Sequence, residues 1–319
     1  MTEERRPGRD GRERRPKVSI VSLRAFRERG KQAVCVTAYD YPTAVFADRA
    51  GVDVILVGDS AAMTVLGHIN TLAITMDEML IFARAVARGA ERAFVIGDLP
   101  FLSYQVSNED AVRNAGAFIR AGCDAVKLEG GRRVVDRVRA IADAGIAVMG
   151  HLGLTPQALG QLGGYRVQGR TRAAAERILD DALALQDAGA FAILLEAIPP
   201  QSAKYIRDQL AIPVHGIGAG PHLDGQLVIS HDLLGNFVGD ITPRFVSRLA
   251  SLDAVVTQAF ATYAADVRSG AFPARRHCYA LDAVVQEAPS EEPPNNVPLA
   301  IADALLSPSN QPREVARAI

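Results

Sequence analysis

Short, wholly apolar runs punctuate the chain, and longer stretches with apolar residues at helical spacing separate them. Val54-Ile55-Leu56-Val57, Ala93-Phe94-Val95-Ile96 and Phe191-Ala192-Ile193-Leu194-Leu195 have the length and content of strands buried on both faces. This pattern predicts strands over 33–38, 53–58, 93–97, 124–128, 146–150, 191–195, 213–217 and 226–230, the last of which could instead begin a helix. Helical spacing covers 41–50, 76–89 and 108–121, and a short helix over 19–28 leads into the first strand. Gly51, Gly89, Gly122, Gly145 and Gly189 stand between a helix and the next strand, where a left-handed C-cap is expected. Eight strand–helix units favour an α/β fold, a (β/α)8 TIM barrel, over an open doubly wound sheet.

Two connections are long, 60–75 and 152–170, and loops of that size in a compact barrel are usually functional. The Arg-rich start, 1–17, has almost no large apolar residue and is expected to be a disordered tail. The catalytic barrel is expected over 18–280. Residues 281–319 read as a Pro- and Glu-rich linker followed by a short helix over 297–306.

Composition narrows the picture without changing it. A hydrophobic fraction of 49% and a charged fraction of 22% fit a globular enzyme with a sizeable core. A net charge of −1 gives no global pull toward nucleic acid or an anionic membrane, and no apolar run is long enough to span a bilayer. Three widely separated cysteines make neither a disulfide framework nor a zinc spacing, which fits a reduced, cytoplasmic setting.

The chemistry gathers at the strand ends. The runs terminate in Asp59-Ser60, Asp98, Lys127-Leu128-Glu129, His151 and Glu196. Packing does not call for an acid just past a buried strand, and burying one without a partner is costly. Repeated endings of this kind point to one polar site at the C-terminal face of a barrel. Asp59, Asp98 and Glu129 suit a hard divalent cation such as Mg²⁺, which takes one or two carboxylates with water and substrate. Lys127 faces the same way as Glu129 and could counter a substrate carboxylate, while Ser60 can donate to a substrate oxygen. Glu196, arriving from across the barrel, is a candidate general base. His151 either bonds a backbone carbonyl or holds a substrate oxygen. His68, His215, His222, His231 and His277 read as structural, and Asp224 and Asp232 as helix caps. Gly216-Ile217-Gly218-Ala219-Gly220 is weak evidence for a phosphate site, and close packing explains it equally well.

These residues also carry a resemblance. Thr37-Ala38-Tyr39-Asp40-Tyr41, Val57-Gly58-Asp59-Ser60, Gly97-Asp98-Leu99-Pro100-Phe101 and Lys127-Leu128-Glu129-Gly130-Gly131 begin the series. Gly150-His151-Leu152-Gly153-Leu154-Thr155-Pro156-Gln157, Tyr165-Arg166-Val167-Gln168-Gly169-Arg170, Leu195-Glu196, Gly216-Ile217-Gly218-Ala219-Gly220 and Asp224-Gly225-Gln226 continue it. Taken together over about residues 20–279, the chain resembles the ketopantoate hydroxymethyltransferase family, on a barrel related to phosphoenolpyruvate mutase and isocitrate lyase.

The resemblance implies transfer of a one-carbon unit from 5,10-methylenetetrahydrofolate to 3-methyl-2-oxobutanoate, giving 2-dehydropantoate in pantothenate synthesis through a Mg²⁺-stabilised enolate. It matches Asp59, Asp98 and Glu129 to the metal site, and Asp59, Ser60, Asp98, Lys127 and His151 to the substrate site. It matches Glu196 to the proton acceptor. It further implies a homo-oligomer, a decamer in the family, with small-molecule partners only. The departures are Ala61-Ala62, Ile69 and Ala73 in the loop after the second strand, and they spare every proposed catalytic group. The alternatives on the same barrel are a paralogue acting on another 2-oxo acid and a Mg²⁺-dependent carbon–carbon lyase.

Overall fold

A computed structural model describes residues 16–239 and 243–280, which fall into two compact units. The expected N-terminal tail lies outside the described residues except for its last two positions, as does all but the first position of residues 280–319, including the expected helix over 297–306.

The first unit, running to Ser230 and including 243–246, holds a closed barrel in the order β1 to β8. The strands are β1 (Ala33–Thr37), β2 (Val54–Val57), β3 (Phe94–Asp98), β4 (Ala125–Glu129), β5 (Val148–Gly153), β6 (Ala192–Glu196), β7 (Val214–Ile217) and β8 (Gly225–Val228). Every neighbouring pair is parallel, and β8 closes on β1 through Ala33 to Val36. All eight strands fall where the apolar runs predicted them. The eighth gives way at Ser230 to a short helix, Ser230–Leu234, so both readings of that segment describe part of it.

Strand periodicity divides the core in two. Ile55, Val57, Val95, Val126, Leu128, Ile193 and Leu195 face the surrounding helices. Val54, Leu56, Phe94, Ile96, Ala125, Met149, Leu194 and Leu227 fill the barrel interior. Side chains alternate along a strand, so a residue two positions past Ile96, Ala125, Met149 or Leu194 must also point inward.

The helices predicted over 41–50 and 76–89 form as Tyr41–Ala50 and Met76–Gly89, and the third as Asn108–Arg120. Gly51 caps in the left-handed region at φ 88°, and Gly122, Gly145 and Gly189 also take positive φ. Gly89 differs: it is the last helical residue, and the chain leaves through Ala90 in extended conformation. A Cβ there would lie 2.7 Å from Tyr41 O and 2.8 Å from Ala44 Cβ, so this glycine lets two helices pack closely. Asp224 is likewise no helix cap. It accepts from Val214 N and pairs with Arg27 and Arg207, tying the start of the chain to the entry of β7.

The second unit takes 231–239 and 247–280 of the described residues and contains the helix Leu252–Ser269. Among the described residues, no helix is long and apolar enough to cross a membrane.

Candidate active site

The interior register delivers the strand-end polar groups to one place. Asp98 follows Ile96, Lys127 and Glu129 follow Ala125, His151 follows Met149, and Glu196 follows Leu194. Sheet pairing sets Asp98 beside Lys127, Glu129 beside His151, and Glu196 beside Gly153. Asp59, Asp98, Lys127, Glu129 and His151 are all buried, whereas the Glu196 side chain keeps 16% of its surface accessible.

Three carboxylates share this space with one lysine. Lys127 Nζ lies 2.9 Å from Asp98 Oδ1, close enough to pair but out of line for a hydrogen bond, and 3.4 Å from Glu129 Oε1. Asp59 N donates to Asp98 Oδ2 at 3.0 Å. Burial pushes the Asp59 carboxyl well above the usual range, and the charges of Asp98 and Glu129 push it further. Asp98 is also raised by burial, although Lys127 opposes the shift. Burial acts on Glu129 in the same direction, but Lys127 and His151 outweigh it and hold the group at about 2. For Lys127, burial pulls the ammonium down while Asp98, Glu129 and Asp59 more than restore it, so it remains charged.

His151 bonds two carboxylates and not the backbone carbonyl of its structural reading. Its Nδ1 stands 3.1 Å from Glu129 Oε1 and its Nε2 stands 3.2 Å from Glu196 Oε2. Burial and Lys127, 3.2 Å away, disfavour the imidazolium, yet the two carboxylates raise it to about 9. The ring is therefore a cation at neutral pH, joining the acid of β4 to the acid of β6. Ser60 sits beside the cluster with its hydroxyl 2.8 Å from Tyr39 OH.

Two participants escaped the sequence reading. Gln157, in the loop after β5, donates from Nε2 to Asp59 Oδ2 and from its backbone N to Glu129 Oε2. Tyr104, in the loop after β3, places its hydroxyl 2.7 Å from Gln157 Oε1 and within reach of the Glu129 backbone. Both belong to connections without periodicity, and the one available signal was the position of Gln157 in the quoted Gly150-to-Gln157 segment.

His215 and the glycines after β7 lie in packed surroundings. His215 lies in the barrel interior, with Nδ1 3.2 Å from Cys35 Sγ. The glycines after β7 serve packing: a Cβ on Gly218 would meet Phe245 at 2.5 Å, and one on Gly220 would meet Pro200 at 2.6 Å. Ala61 and Ala62 lie fully buried in the helix Ala61–Thr64, where backbone φ is ordinary. Ile69 is 90% exposed and does not line the acid cluster.

A family model described as ketopantoate hydroxymethyltransferase matches residues 17–275. The chain belongs to that family. A 3-methyl-2-oxobutanoate hydroxymethyltransferase of Alkaliphilus metalliredigens (strain QYMF) is 53% identical over 264 residues, covering 82% of this chain and 93% of that protein. The protein of the same name from Moorella thermoacetica (strain ATCC 39073 / JCM 9320) is 53% identical over 266 residues, covering 83% of this chain and 98% of the relative. This member of the ketopantoate hydroxymethyltransferase family is thus an enzyme of the hydroxymethyl-transferring kind.

Solved structures place its barrel in wider company. A phosphonopyruvate hydrolase complexed with oxalate and Mg²⁺ superposes with a TM-score of 0.56 at 15% identity, covering 82% of this chain and 93% of that one. A 2,3-dimethylmalate lyase of the phosphoenolpyruvate mutase/isocitrate lyase superfamily gives 0.54 at 21% identity, covering 79% and 89%. At those identities the likeness shows the fold.

Proposed function

We propose that this enzyme moves a hydroxymethyl group from 5,10-methylenetetrahydrofolate to 3-methyl-2-oxobutanoate, giving 2-dehydropantoate, with Glu196 as the base. The names of the closely similar relatives supply the oxo acid, and the arrangement around Glu196 carries the assignment of the base. Glu196 is the one strand-end carboxylate with part of its surface open, and a buried cation backs it on one side.

The site also fits a divalent cation. Asp59, Asp98 and Glu129 bring three acids into one buried space, and Asp98 Oδ1 has no hydrogen bond among the described residues. Among the described residues no three of His, Cys, Asp or Glu already stand gathered around one point, so a cation here would draw its remaining ligands from substrate and water. Asp59, Asp98 and Glu129 would hold Mg²⁺, with Glu129 already engaged by Lys127, His151 and the Gln157 backbone. Bound there, the metal would supply Lewis-acid polarisation to the oxygens of the oxo acid.

The chain's own groups then divide the work. Water hydrolyses both C–N bonds of the folate methylene, releasing tetrahydrofolate and formaldehyde. Glu196 takes the proton from C3, the released electron pair forms the bond to the formaldehyde carbon, and the resulting alkoxide takes the proton back to become the hydroxyl. Lys127 and His151 hold positive charge beside the site while negative charge grows on the substrate. Ser60 offers a hydroxyl at the rim.

The test is loss of the C3 proton of 3-methyl-2-oxobutanoate in D₂O, followed by NMR with Mg²⁺ and tetrahydrofolate present. Exchange should fall by about 10²–10⁴-fold in Glu196→Gln. It should also stop on chelation, and product should form once formaldehyde is added. Undiminished exchange in Glu196→Gln would remove Glu196 from the mechanism.

The expected homo-oligomer is proposed as well. Light scattering tests it, and a monomeric mass would rule it out.

A further inference from the structure

Gln157 is buried at 7% exposure, and every polar atom of its side chain is engaged. One N–H of its amide points at Asp59 Oδ2, 2.9 Å away, and the other at Leu99 O, also 2.9 Å away. Asp59 Oδ2 and Leu99 O only accept, which fixes the NH₂ end of the amide toward Asp59, and the amide oxygen at the other end lies 2.7 Å from Tyr104 OH and 3.3 Å from Gln105 Nε2. The backbone N–H of the same residue donates to Glu129 Oε2 at 2.9 Å. A single residue of the loop after β5 therefore touches the carboxylates of β2 and β4 and the backbone just past β3. Both amide hydrogens are used within the protein, so the side chain has none left for a substrate.

We propose that Gln157 is a positioning residue that sets the orientation of Asp59 relative to Glu129, with Tyr104 locking the amide. Its benefit to metal binding rests on the reading of these acids as Mg²⁺ ligands. Without Gln157, Asp59 Oδ2 loses the donor 2.9 Å away, and the carboxylate is free to turn away from the two acids beside it. With Gln157 in place, one oxygen is pinned by a donor and the carboxylate plane is defined. Groups of this kind, which hold a ligand without touching the metal, typically change metal affinity by about 10–100-fold.

Gln157→Met keeps the length of the side chain and removes both donors. Tyr104→Phe leaves Gln157 intact and removes the hydroxyl that orients it. Mn²⁺ titrated into wild type and variants without oxo acid, and followed by electron paramagnetic resonance, gives a readout separate from turnover. The expected result is affinity about 10–100-fold weaker in Gln157→Met and a smaller loss in Tyr104→Phe, with the circular dichroism of a folded barrel retained. Equal Mn²⁺ affinity in wild type and folded Gln157→Met would overturn the proposal.

A crystal structure of the metal-free variant supplies a second criterion. Asp59 should leave the rotamer it holds in the wild type, and an unmoved Asp59 would overturn the positioning role. If wild type takes up no Mn²⁺, the metal reading fails by itself, and the crystallographic comparison still decides what Gln157 does. Should Gln157→Met not fold, Tyr104→Phe carries both measurements.

Discussion

Glu196 Oε2 lies 3.2 Å from His151 Nε2 across the pairing of β6 with β5. The contact is made possible by strand register: both residues face the barrel interior, and the ring reaches a second carboxylate, Glu129, with its other nitrogen. The acid of β6 is thereby coupled to the acid cluster through a buried cation.

Removing that cation should cost both stability and rate. His151→Gln leaves Glu129 and Glu196 without the positive charge between them, and breaking a buried ion pair from one side typically costs about 3–5 kcal/mol. The two remaining partners of Glu129, Lys127 and the Gln157 backbone, place the expected loss at the lower end of that range. Proton exchange at C3 should slow by about 10²-fold, the scale set by loss of one preorganised charge-stabilising group. Urea denaturation and the D₂O exchange assay check the two effects, and a variant with wild-type values in both would show the bridge to be incidental.

Much of this arrangement was legible because strand periodicity is simple. An apolar run that stops at Asp98 or Glu196 announces which way the acid points, since alternation carries the interior face past the last apolar residue. The same rule says nothing about Gln157 and Tyr104, which reach the cluster from loops whose backbone path is set by tertiary contacts. It also misassigns Gly89, where a glycine near a helix end serves helix–helix approach instead of a left-handed turn. Asp224 escaped for a related reason: Arg27, its partner, lies 197 positions away along the chain, and only the closed barrel brings them together. His151 was located correctly, but its two carboxylate partners depend on a strand pairing that local sequence does not reveal.

Directly after Glu196 the backbone is strained. Ala197 sits in the left-handed region at φ 49°, with its N–H bonded to Ile217 O and its carbonyl to Gln168 N. A non-glycine residue there costs roughly 1–2 kcal/mol, and glycine relieves it while adding about 0.5–1 kcal/mol of unfolded-chain entropy. Ala197→Gly should therefore be neutral to stabilising, by up to about 1 kcal/mol, whereas β-branched Ala197→Val should destabilise by more than about 1 kcal/mol. Thermal melts of the pair test the sign, and a more stable Ala197→Val would show that the left-handed conformation is not maintained in solution.

Gly153 is the position across the sheet from Glu196, and it leaves no room for a side chain. At φ 93°, a Cβ would stand 2.3 Å from Glu196 O and 2.9 Å from Ile198. Gly153→Ala must push β5 and β6 apart at the level of Glu196, at a cost of about 2–3 kcal/mol from the combined backbone strain and overpacking. Its turnover should fall further than its stability, because the displaced strand carries Glu196. Parallel denaturation and exchange measurements distinguish this from a uniform loss, and wild-type activity in a folded Gly153→Ala would show that the site tolerates displacement of β6.

Below the acid cluster, His215 gives the barrel interior a pH signature of its own. It is enclosed with Cys35 among Val54, Leu56, Ile96, Met149 and Leu194, around a space of about 10 Å³ that is apolar and too small to supply ordered waters. Burial lowers its pKa to about 4, and the more distant Asp224 opposes the shift only weakly. The unfolded chain binds this proton near pH 6.5 and the folded chain near pH 4, so the unfolded state holds more protons between those values. The contribution is fully present above pH 6.5, declines as pH falls through that window, and is gone below about 4. At pH 4.5 the difference from neutral pH should be on the order of 2–3 kcal/mol for this one group. His215→Phe removes the titration, so its stability should change less than that of the wild type between pH 7 and 4.5, whatever its absolute value. Urea denaturation at the two pH values measures the difference directly, and an identical pH dependence in both proteins would mean that His215 is not held neutral by the interior.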